Sequence, residues 1–193
     1  MTAMRLMRPA DFRVMAWKNG GGVTREIASR PSGSAAFDWR VSIASIERDG
    51  PFSGWHGVDR TFAVIDGIVV LSSPAGTRTL GPDDEPWTFD GGAAVDCHLP
   101  NGAARAFNLM VRRGRAVGRV YRVHGAPREV GDAVAAVCYA VEGRSRCRCG
   151  AEPSGAIDAG EALVVDAVGA PASLTVEPES RSARAIVATR GAS

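Results

Sequence analysis

Lysine is almost absent from this chain of 193 residues, because Lys18 is the only one and the other basic side chains are arginines. An ammonium is a compact point charge on a flexible stem, which a planar guanidinium does not reproduce. Lys18 lies in the segment W-K-N-G-G-G-V-T-R-E of residues 17–26. Glycines have no Cβ, so they let a backbone approach a ligand closely. The segment is therefore either a glycine-rich turn between strands or part of a ligand site.

The chain also lacks long apolar runs and a strong net charge. No run approaches the roughly 18 residues of a membrane span, and Met1–Arg13 has no apolar stretch of the signal-peptide kind. A net charge of +2 is too small to indicate nucleic acid as the main partner, and no helix-turn-helix is evident. We expect a cytoplasmic globular protein that binds neither membranes nor, directly, nucleic acid.

Cysteine and histidine are too few and too scattered to predict a metal site. Cys147 and Cys149 form a C-x-C pair without a second pair at zinc spacing. On a strand these two side chains would face the same way, and a structural or incidental role is expected. His56, His98 and His124 form no H-x-H or H-E-x-x-H element. We therefore expect no bound metal and no cofactor.

Short alternating runs broken by turn residues predict an all-β protein. The strand-like run of residues 39–46 begins with an alternation between large apolar and small or polar side chains over residues 39–44, and Asp49-Gly50-Pro51 ends the run. Asp66-Gly67 predicts a hairpin between residues 61–65 and 68–71. Further strands are expected at residues 87–89 and 107–111.

The second half of the sequence repeats features of the first half at a nearly constant offset. The offset is 76 or 77 positions for three pairs, which are Gly67 and Gly143, Leu80 and Ile157, and Arg113-Gly114 and Arg190-Gly191. This pattern predicts an internal duplication that forms two small antiparallel β-barrels. We assign residues 1–114 to the first domain and residues 115–193 to the second.

Arginines are concentrated around the expected domain boundary, at Arg112, Arg113, Arg115, Arg119, Arg122 and Arg128. Such a cluster is typical of a solvated linker between two domains. The alternative is a basic surface for a protein or nucleic-acid partner.

Strand periodicity places polar and small side chains on common faces. Thr24 shares a face with Glu26, Arg40 shares one with Ser42 and Ala44, and a third strand places Ala106, Asn108, Met110 and Arg112 together. The large apolar side chains of the second and third strands lie on the opposite faces. In a small barrel the polar faces would line a cavity, whereas in an open sheet they would face solvent.

The residue types at these positions suit a small anion. Arg40 can bind a carboxylate through two donors, and Lys18 adds a second positive charge. Asn19 and Asn108 can bind an amide or formyl group, and Thr24 can donate or accept. Glu26 either holds Arg40 in place or binds a cationic group. We expect Arg40 and Lys18 to supply most of the preference for anions.

Two neighbouring features are less decided. Asp59-Arg60 is either a structural ion pair or part of the ligand site. Trp17 is expected as a pocket wall, whereas Trp55 and Trp87 are expected as packing residues.

Several motifs in residues 14–114 together resemble the HutD/Ves family. They are W-K-N-G-G-G-x-T-x-E from Trp17, F-x-W-R-x-S-x-A-x-I from Phe37, D-G-P-F-S from Asp49, G-x-D-R from Gly57, D-G-G from Asp90 and F-N-x-M-x-R-R-G from Phe107. The resemblance implies a bicupin, that is, two cupin-type (RmlC-like jelly-roll) barrels without the usual metal ligands. It also implies a link to histidine utilisation, in which the protein senses or binds an acidic intermediate such as N-formylglutamate and has a regulatory role.

The chain departs from the family pattern at His56 and Ala106, where the family often has proline and aspartate, so its ligand selectivity could differ. The candidate ligand-binding residues are Trp17, Lys18, Asn19, Gly21, Gly22, Thr24, Glu26, Arg40, Ser42, Arg60, Asn108 and Met110.

Three functions remain open from the sequence. The first is a non-enzymatic protein that binds a small carboxylate and whose exposed barrel edges favour a homodimer. The second is a metal-free isomerase or hydrolase with Glu26 as general base and Lys18 as acid or electrostatic stabiliser. The third is an interaction module that uses the arginine-rich segment. Apart from His56, no histidine lies in the motifs, although general acid–base catalysis most often uses histidine. This favours binding over catalysis.

Overall fold

The computed structural model describes residues 2–31, 36–150, 155–167 and 171–191. These residues form strands and one 3-10 turn at Pro9–Asp11, so the protein is all-β as predicted. No helix among them is long and apolar enough to cross a membrane. The chain divides into a first unit, residues 13–115, and a second unit, which joins residues 2–12 to the described residues from 116 onwards.

The first unit consists of two antiparallel sheets. The six-stranded sheet has the order β2-β3-β4-β11-β6-β9, and the four-stranded sheet has the order β5-β10-β7-β8. The strands are β2 Arg13–Ala16, β3 Gly22–Arg30, β4 Trp39–Ile46, β5 Gly50–Pro51, β6 Val58–Asp66, β7 Val69–Ser73, β8 Gly76–Leu80, β9 Trp87–Asp90, β10 Asp96–His98 and β11 Ala104–Arg112.

The second unit also consists of a larger and a smaller antiparallel sheet. Their orders are β1-β17-β14-β19-β12 and β13-β18-β15-β16. The strands are β1 Thr2–Met7, β12 Val117–His124, β13 Arg128–Ala133, β14 Ala135–Glu142, β15 Ser145–Cys149, β16 Gly155–Ile157, β17 Ala162–Ala167, β18 Ala172–Pro178 and β19 Arg184–Gly191.

Eight strands of each unit follow the same order, whereas β2 and β3 of the first unit and β1 of the second have no counterpart among the described residues. In the larger sheets β9-β6-β11-β4 corresponds to β17-β14-β19-β12, and in the smaller sheets β5-β10-β7-β8 corresponds to β13-β18-β15-β16. The repeat seen in the sequence is therefore also a repeat of topology. The strands of each unit form two separate sheets, however, and not the single closed barrel that the sequence led us to expect.

An apolar core lies within each unit and draws side chains from both of its sheets. In the first unit Ile46, Phe62 and Val64 of the larger sheet cluster with Val69 and Leu71 of the smaller one. Burial of this apolar surface is the main force that holds two sheets together. Cys97 belongs to this core, whereas Cys138, Cys147 and Cys149 belong to the core of the second unit. All four thiols are free and buried.

The expected hairpin at Asp66-Gly67 is wrong. The strands on either side, β6 and β7, lie in different sheets and do not pair with each other. Gly67 has φ +80°, so the chain does turn there, but a Cβ at this glycine would lie 2.9 Å from the carbonyl oxygen of Ala103. The close approach of another segment makes the turn a crossover from one sheet to the other.

The division of the chain into units also differs from the domain boundaries that we predicted from the sequence. Residues 2–7 were assigned to the first domain, but β1 pairs with β17 of the second unit, from Thr2 opposite Ala167 to Met7 opposite Ala162. Six consecutive pairs, together with the buried side chain of Met7, fix this strand in the second unit.

Only part of the arginine cluster lies in the segment that connects the two units. Arg112 lies on β11, Arg119 and Arg122 lie on β12, and Arg128 opens β13. Arg113 is bound to both Asp59 and Asp90, with nitrogen–oxygen distances of 2.7 and 2.6 Å. The cluster therefore consists largely of strand residues, several of which are held by contacts within their own unit.

Candidate functional site

A cavity of about 520 Å³ lies in the first unit, within the size range of small-molecule sites. It is lined by Met15, Ala16, Trp17, Lys18, Asn19, Thr24, Arg40, Ser42, Ala44, Pro51, Phe52, Ser53, Trp55, Arg60, Asn108 and Met110. Three of these residues are cations and none is acidic. The lining therefore favours an anionic ligand.

Nine of the twelve candidate residues line this cavity, namely Trp17, Lys18, Asn19, Thr24, Arg40, Ser42, Arg60, Asn108 and Met110. The other three, Gly21, Gly22 and Glu26, do not. Each of the three has a structural position that explains its presence in the motif.

The glycines form the turn between β2 and β3. The turn closes through a hydrogen bond from the Trp17 amide to the Gly22 carbonyl, with an N···O distance of 2.9 Å. Gly20 has φ +67°, which favours glycine. A Cβ on Gly22 would lie 2.2 Å from the Ser45 carbonyl oxygen. The Gly21 amide donates to Asn19 Oδ1 at 3.0 Å, so the turn itself uses the N–H that we had considered for a ligand.

The central strands present one face to the cavity, as their alternation predicted. Across the sheet, Thr24 lies opposite Ala44, Ser42 opposite Asn108, and Arg40 opposite Met110. All six residues line the cavity. The alternate residues, including Trp39, Val41 and Phe107, are buried. The polar and small face is therefore a cavity wall.

Arg40 is a largely buried cation with an acidic partner. Its Nε lies 3.2 Å from Glu26 Oε2, and Glu26 Oε1 accepts a hydrogen bond from Ser29 Oγ at 3.0 Å. No described residue accepts a hydrogen bond from Arg40 Nε, so the contact with Glu26 is an ion pair without an aligned N–H. Burial lowers the pKa of Arg40, and the Glu26 carboxylate opposes this shift. Of the two roles considered for Glu26, its contacts are those of holding Arg40.

Arg60 is a buried cation without an acidic partner. Its side chain lies on β6 and is only 6% exposed. Its Nε donates to Asn108 Oδ1 at 2.9 Å, and its guanidinium carbon lies 4.3 Å from the centroid of the Phe52 ring. No carboxylate among the described residues lies within ion-pair distance of Arg60.

The nearest charges leave Arg60 uncompensated. Burial, and secondarily the positive charge of Arg40, lower the pKa of Arg60 to about 9, so it is a cation at neutral pH. Burial raises the pKa of the nearby Cys97 thiol to about 11, so this group is neutral at pH 7. Asp59 does not serve Arg60 but binds Arg113, because consecutive residues on a strand point to opposite faces. The Asp59–Arg60 ion pair considered from the sequence is therefore absent.

The end of β5 and the loop that follows it supply cavity residues that the sequence reasoning did not select. Pro51, Phe52 and Ser53 line the cavity, as does Trp55, which we had expected to be a packing residue only. Hydrogen bonds from the Phe52 amide to the Val95 carbonyl and from the Trp55 amide to the Gly91 carbonyl fix the loop, with N···O distances of 2.8 and 2.6 Å. Periodicity cannot place a loop, but the D-G-P-F-S motif was a signal that this segment has a specific position.

The remaining lining residues lie on β2. Met15 and Ala16 precede Trp17, whose indole Nε1 donates to Thr24 Oγ1 at 2.8 Å. This bond fixes the indole at the cavity wall, the role expected for Trp17 from the sequence.

Comparison with known proteins gives a match over most of the chain. The family model described as HutD matches residues 9–183. An uncharacterised 21.2 kDa protein from the region 3′ of hutC in Pseudomonas putida is 38% identical over 144 residues, which cover 72% of this chain and 75% of that protein. Protein Ves of Citrobacter koseri is 38% identical over 116 residues, which cover 57% of this chain and 60% of Ves.

Solved structures show the same fold. HutD from Pseudomonas fluorescens SBW25, solved in a formate condition, superposes with a TM-score of 0.81 at 28% identity, covering 99% of this chain and 100% of that one. An oxalate decarboxylase from Lactobacillus farciminis superposes with a TM-score of 0.66 at 10% identity, covering 97% of this chain and 86% of that one. The likeness to the oxalate decarboxylase concerns the fold alone, which is cupin-like.

Proposed function

Because the chain belongs to the HutD family, whose members are associated with the histidine-utilisation locus, we propose that the cavity of the first unit binds a small carboxylate. The observation that carries this proposal is the buried guanidinium of Arg60, which has no acidic partner among the described residues. A buried charge is costly unless it is paired. A bound carboxylate would supply the missing charge and accept hydrogen bonds from the guanidinium.

The geometry gives Arg60 the leading role in this proposal. From the sequence we expected Arg40 and Lys18 to supply most of the preference for anions. Arg40, however, is already paired with Glu26, so its charge is largely compensated within the protein. Arg60 is more deeply buried and has only the neutral amide of Asn108 as a hydrogen-bond partner. We therefore assign the primary carboxylate contact to Arg60, with Arg40 as a second donor.

The family and the cavity together support a more specific proposal for the ligand. We propose an acidic intermediate of histidine degradation, of the kind represented by N-formylglutamate, and a role in sensing it and regulating histidine utilisation. The relative encoded near hutC supports the association with this pathway. The polar lining residues Ser42, Ser53 and Thr24 can hydrogen-bond to an acylamino group.

The repeated strand order supports a further proposal about domain organisation. We propose that the protein is a bicupin in which each unit is one cupin domain, the first of which holds the ligand. All the residues that line the cavity lie between Met15 and Met110, within the first unit.

The enzymatic alternative has less support from the geometry. A general base must come within hydrogen-bonding reach of the proton that it removes. Glu26 does not line the cavity, and its two carboxylate oxygens contact Arg40 and Ser29. Its negative charge therefore stabilises Arg40 and is not directed at a ligand.

Calorimetric titration of the Arg60→Met variant tests the proposed function. The parent protein should bind acetate and N-formyl-L-glutamate, and R60M should bind both at least tenfold more weakly, since charge-assisted hydrogen bonds are worth about 1.5–3 kcal/mol each. Arg48→Met is the matched control, because Arg48 is exposed and does not line the cavity. A folded R60M variant that binds these anions as tightly as the parent would show that Arg60 is not the anchor.

A further inference from the structure

We infer that the cavity selects ligands with two carboxylates at the ends of an apolar or weakly polar chain, one bound at Arg60 and the other at Lys18. The inference rests on the proposed function, because it requires that Arg60 binds a carboxylate. It adds a second contact at the rim of the cavity and a requirement for ligand length.

Two of the three positive charges in the cavity lining are not compensated by an acidic side chain among the described residues. The cavity lining contains Lys18, Arg40 and Arg60 and no carboxylate. Glu26, behind the lining, compensates Arg40. Neither Lys18 nor Arg60 forms an ion pair with any residue that the structure describes. Two positive charges therefore remain for the ligand, which favours a dianion.

The two charges lie at different depths. Arg60 is buried at the inner wall, whereas Lys18 is exposed on the turn between β2 and β3. A monocarboxylate at Arg60 would leave the Lys18 ammonium in solvent. A ligand that contacts both must extend from the buried end of the cavity to its rim.

Two aromatic rings of the cavity lining form an apolar wall that runs from the residue next to Lys18 to Arg60. Trp17 directly precedes Lys18, and its ring centroid lies 6.4 Å from that of Phe52 in an edge-to-face arrangement. The Phe52 ring in turn covers Arg60, with 4.3 Å between its centroid and the guanidinium carbon. A chain of methylene groups can lie along such a wall and bury apolar surface.

Both ends of this wall are fixed. The indole is bound to Thr24, and the Trp17 backbone closes the glycine turn. Phe52 is bound through its amide to Val95. The wall and the backbone that carries Lys18 are therefore held in place within the first unit, and we expect the site to discriminate between dicarboxylates of different length.

A series of simple carboxylates tests the inference by titration calorimetry. The probes are acetate, malonate, glutarate and adipate, measured with the parent and with the Lys18→Met, Arg48→Met and Arg60→Met variants. In the parent, glutarate or adipate should bind at least tenfold more tightly than acetate. Malonate has the two charges without the span, so it should bind like acetate.

The variants separate the second contact from general electrostatics. K18M should lower the affinity for glutarate and adipate to that of acetate while leaving acetate within twofold of its parent value. R48M, which removes an exposed positive charge outside the lining, should change neither. R60M should weaken all four probes.

Two results would overturn the inference. The first is that glutarate and adipate bind the parent no better than acetate, or that K18M weakens acetate and glutarate equally. Lys18 then does not bind a second carboxylate, but the proposed function stands if R60M still weakens acetate binding. The second is that none of the carboxylates binds the parent, in which case the proposed function and the inference fall together.

Discussion

At the scale of single residues, Arg40 and Arg60 differ in that a carboxylate of the protein lies beside Arg40, whereas none among the described residues lies beside Arg60. Both guanidiniums are largely buried and lie against aromatic rings. Only Arg40 has an acid within ion-pair distance. The sequence could not show this difference, because Arg60 directly follows an aspartate and Arg40 is distant in sequence from Glu26. Strand alternation does predict that Asp59 and Arg60 point apart, and that signal was available.

Anion binding should depend on pH through Arg60. The pKa of this group in the free protein is lowered to about 9, and a bound carboxylate would raise it. Acetate affinity should therefore be constant between about pH 6 and 8, and should fall as the pH rises above about 9, where binding must also take up a proton.

Calorimetry in two buffers of different ionisation enthalpy measures this proton uptake directly. Acetate is the appropriate probe because, by the inference above, it does not engage Lys18. Unchanged affinity and no proton uptake up to pH 10 would show that the guanidinium is not perturbed as described.

At the scale of strands and turns, the sequence correctly predicted the features that depend on hydrophobic periodicity. The strand predicted at residues 39–46 is observed as β4, Trp39–Ile46, because alternation of large apolar with small or polar residues is the period of a strand. The crossover after Asp66 was mistaken for a hairpin, since a two-residue turn signal does not reveal which sheet the next strand joins. Phe52 and Trp55 were missed as lining residues for a similar reason, because only contacts distant in sequence place their loop.

Replacing Gly22 by alanine should destabilise the turn that carries Lys18. A Cβ at this position would lie 2.2 Å from the Ser45 carbonyl oxygen, which belongs to the backbone of β4. Forcing an extra methyl group into a packed site costs about 1–3 kcal/mol. For a protein of this size that corresponds to a fall in melting temperature of about 2–4 °C per kcal/mol.

Gly54→Ala is the matched control for this prediction. A Cβ at Gly54 would have no heavy atom within 4 Å, so its melting temperature should stay within about 1–2 °C of the parent, as for other neutral surface changes. Equal melting temperatures for the two variants would show that the backbone contact at Gly22 is not restrictive.

At the scale of the whole molecule, the internal duplication accounts for most of the strand arrangement. The position of a strand along the chain does not show which unit it belongs to. The constant offset in the sequence corresponds to a repeated strand order, but the sequence did not reveal that residues 2–7 belong with the second copy. The first strand has no counterpart in the offset pattern, so similarity between the halves could not place it. Only its pairing with β17 does so.

Deleting residues 1–7 should therefore affect the second unit and spare the site. The deletion removes the pairing partner of β17 and leaves that strand at a sheet edge. Amide hydrogen exchange should become faster in Ala162–Ala167, because edge amides lose their hydrogen bonds, and stay unchanged in Trp39–Ile46. Acetate affinity should remain within twofold of the parent. Faster exchange throughout β4, or loss of acetate binding, would contradict this division of the chain.

The Asn108→Asp variant tests the central claim most directly, namely that Arg60 lacks a negative partner and that the ligand provides one. The substitution is nearly isosteric and places a carboxylate where an amide oxygen now lies 2.9 Å from Arg60 Nε. We predict that the ligand-free variant unfolds at a higher temperature than the parent, with a free energy of unfolding that is larger by about 1–3 kcal/mol. We also predict that its affinity for acetate falls at least tenfold, which is about 1.4 kcal/mol. A variant that is no more stable than the parent and binds acetate equally well would contradict the account.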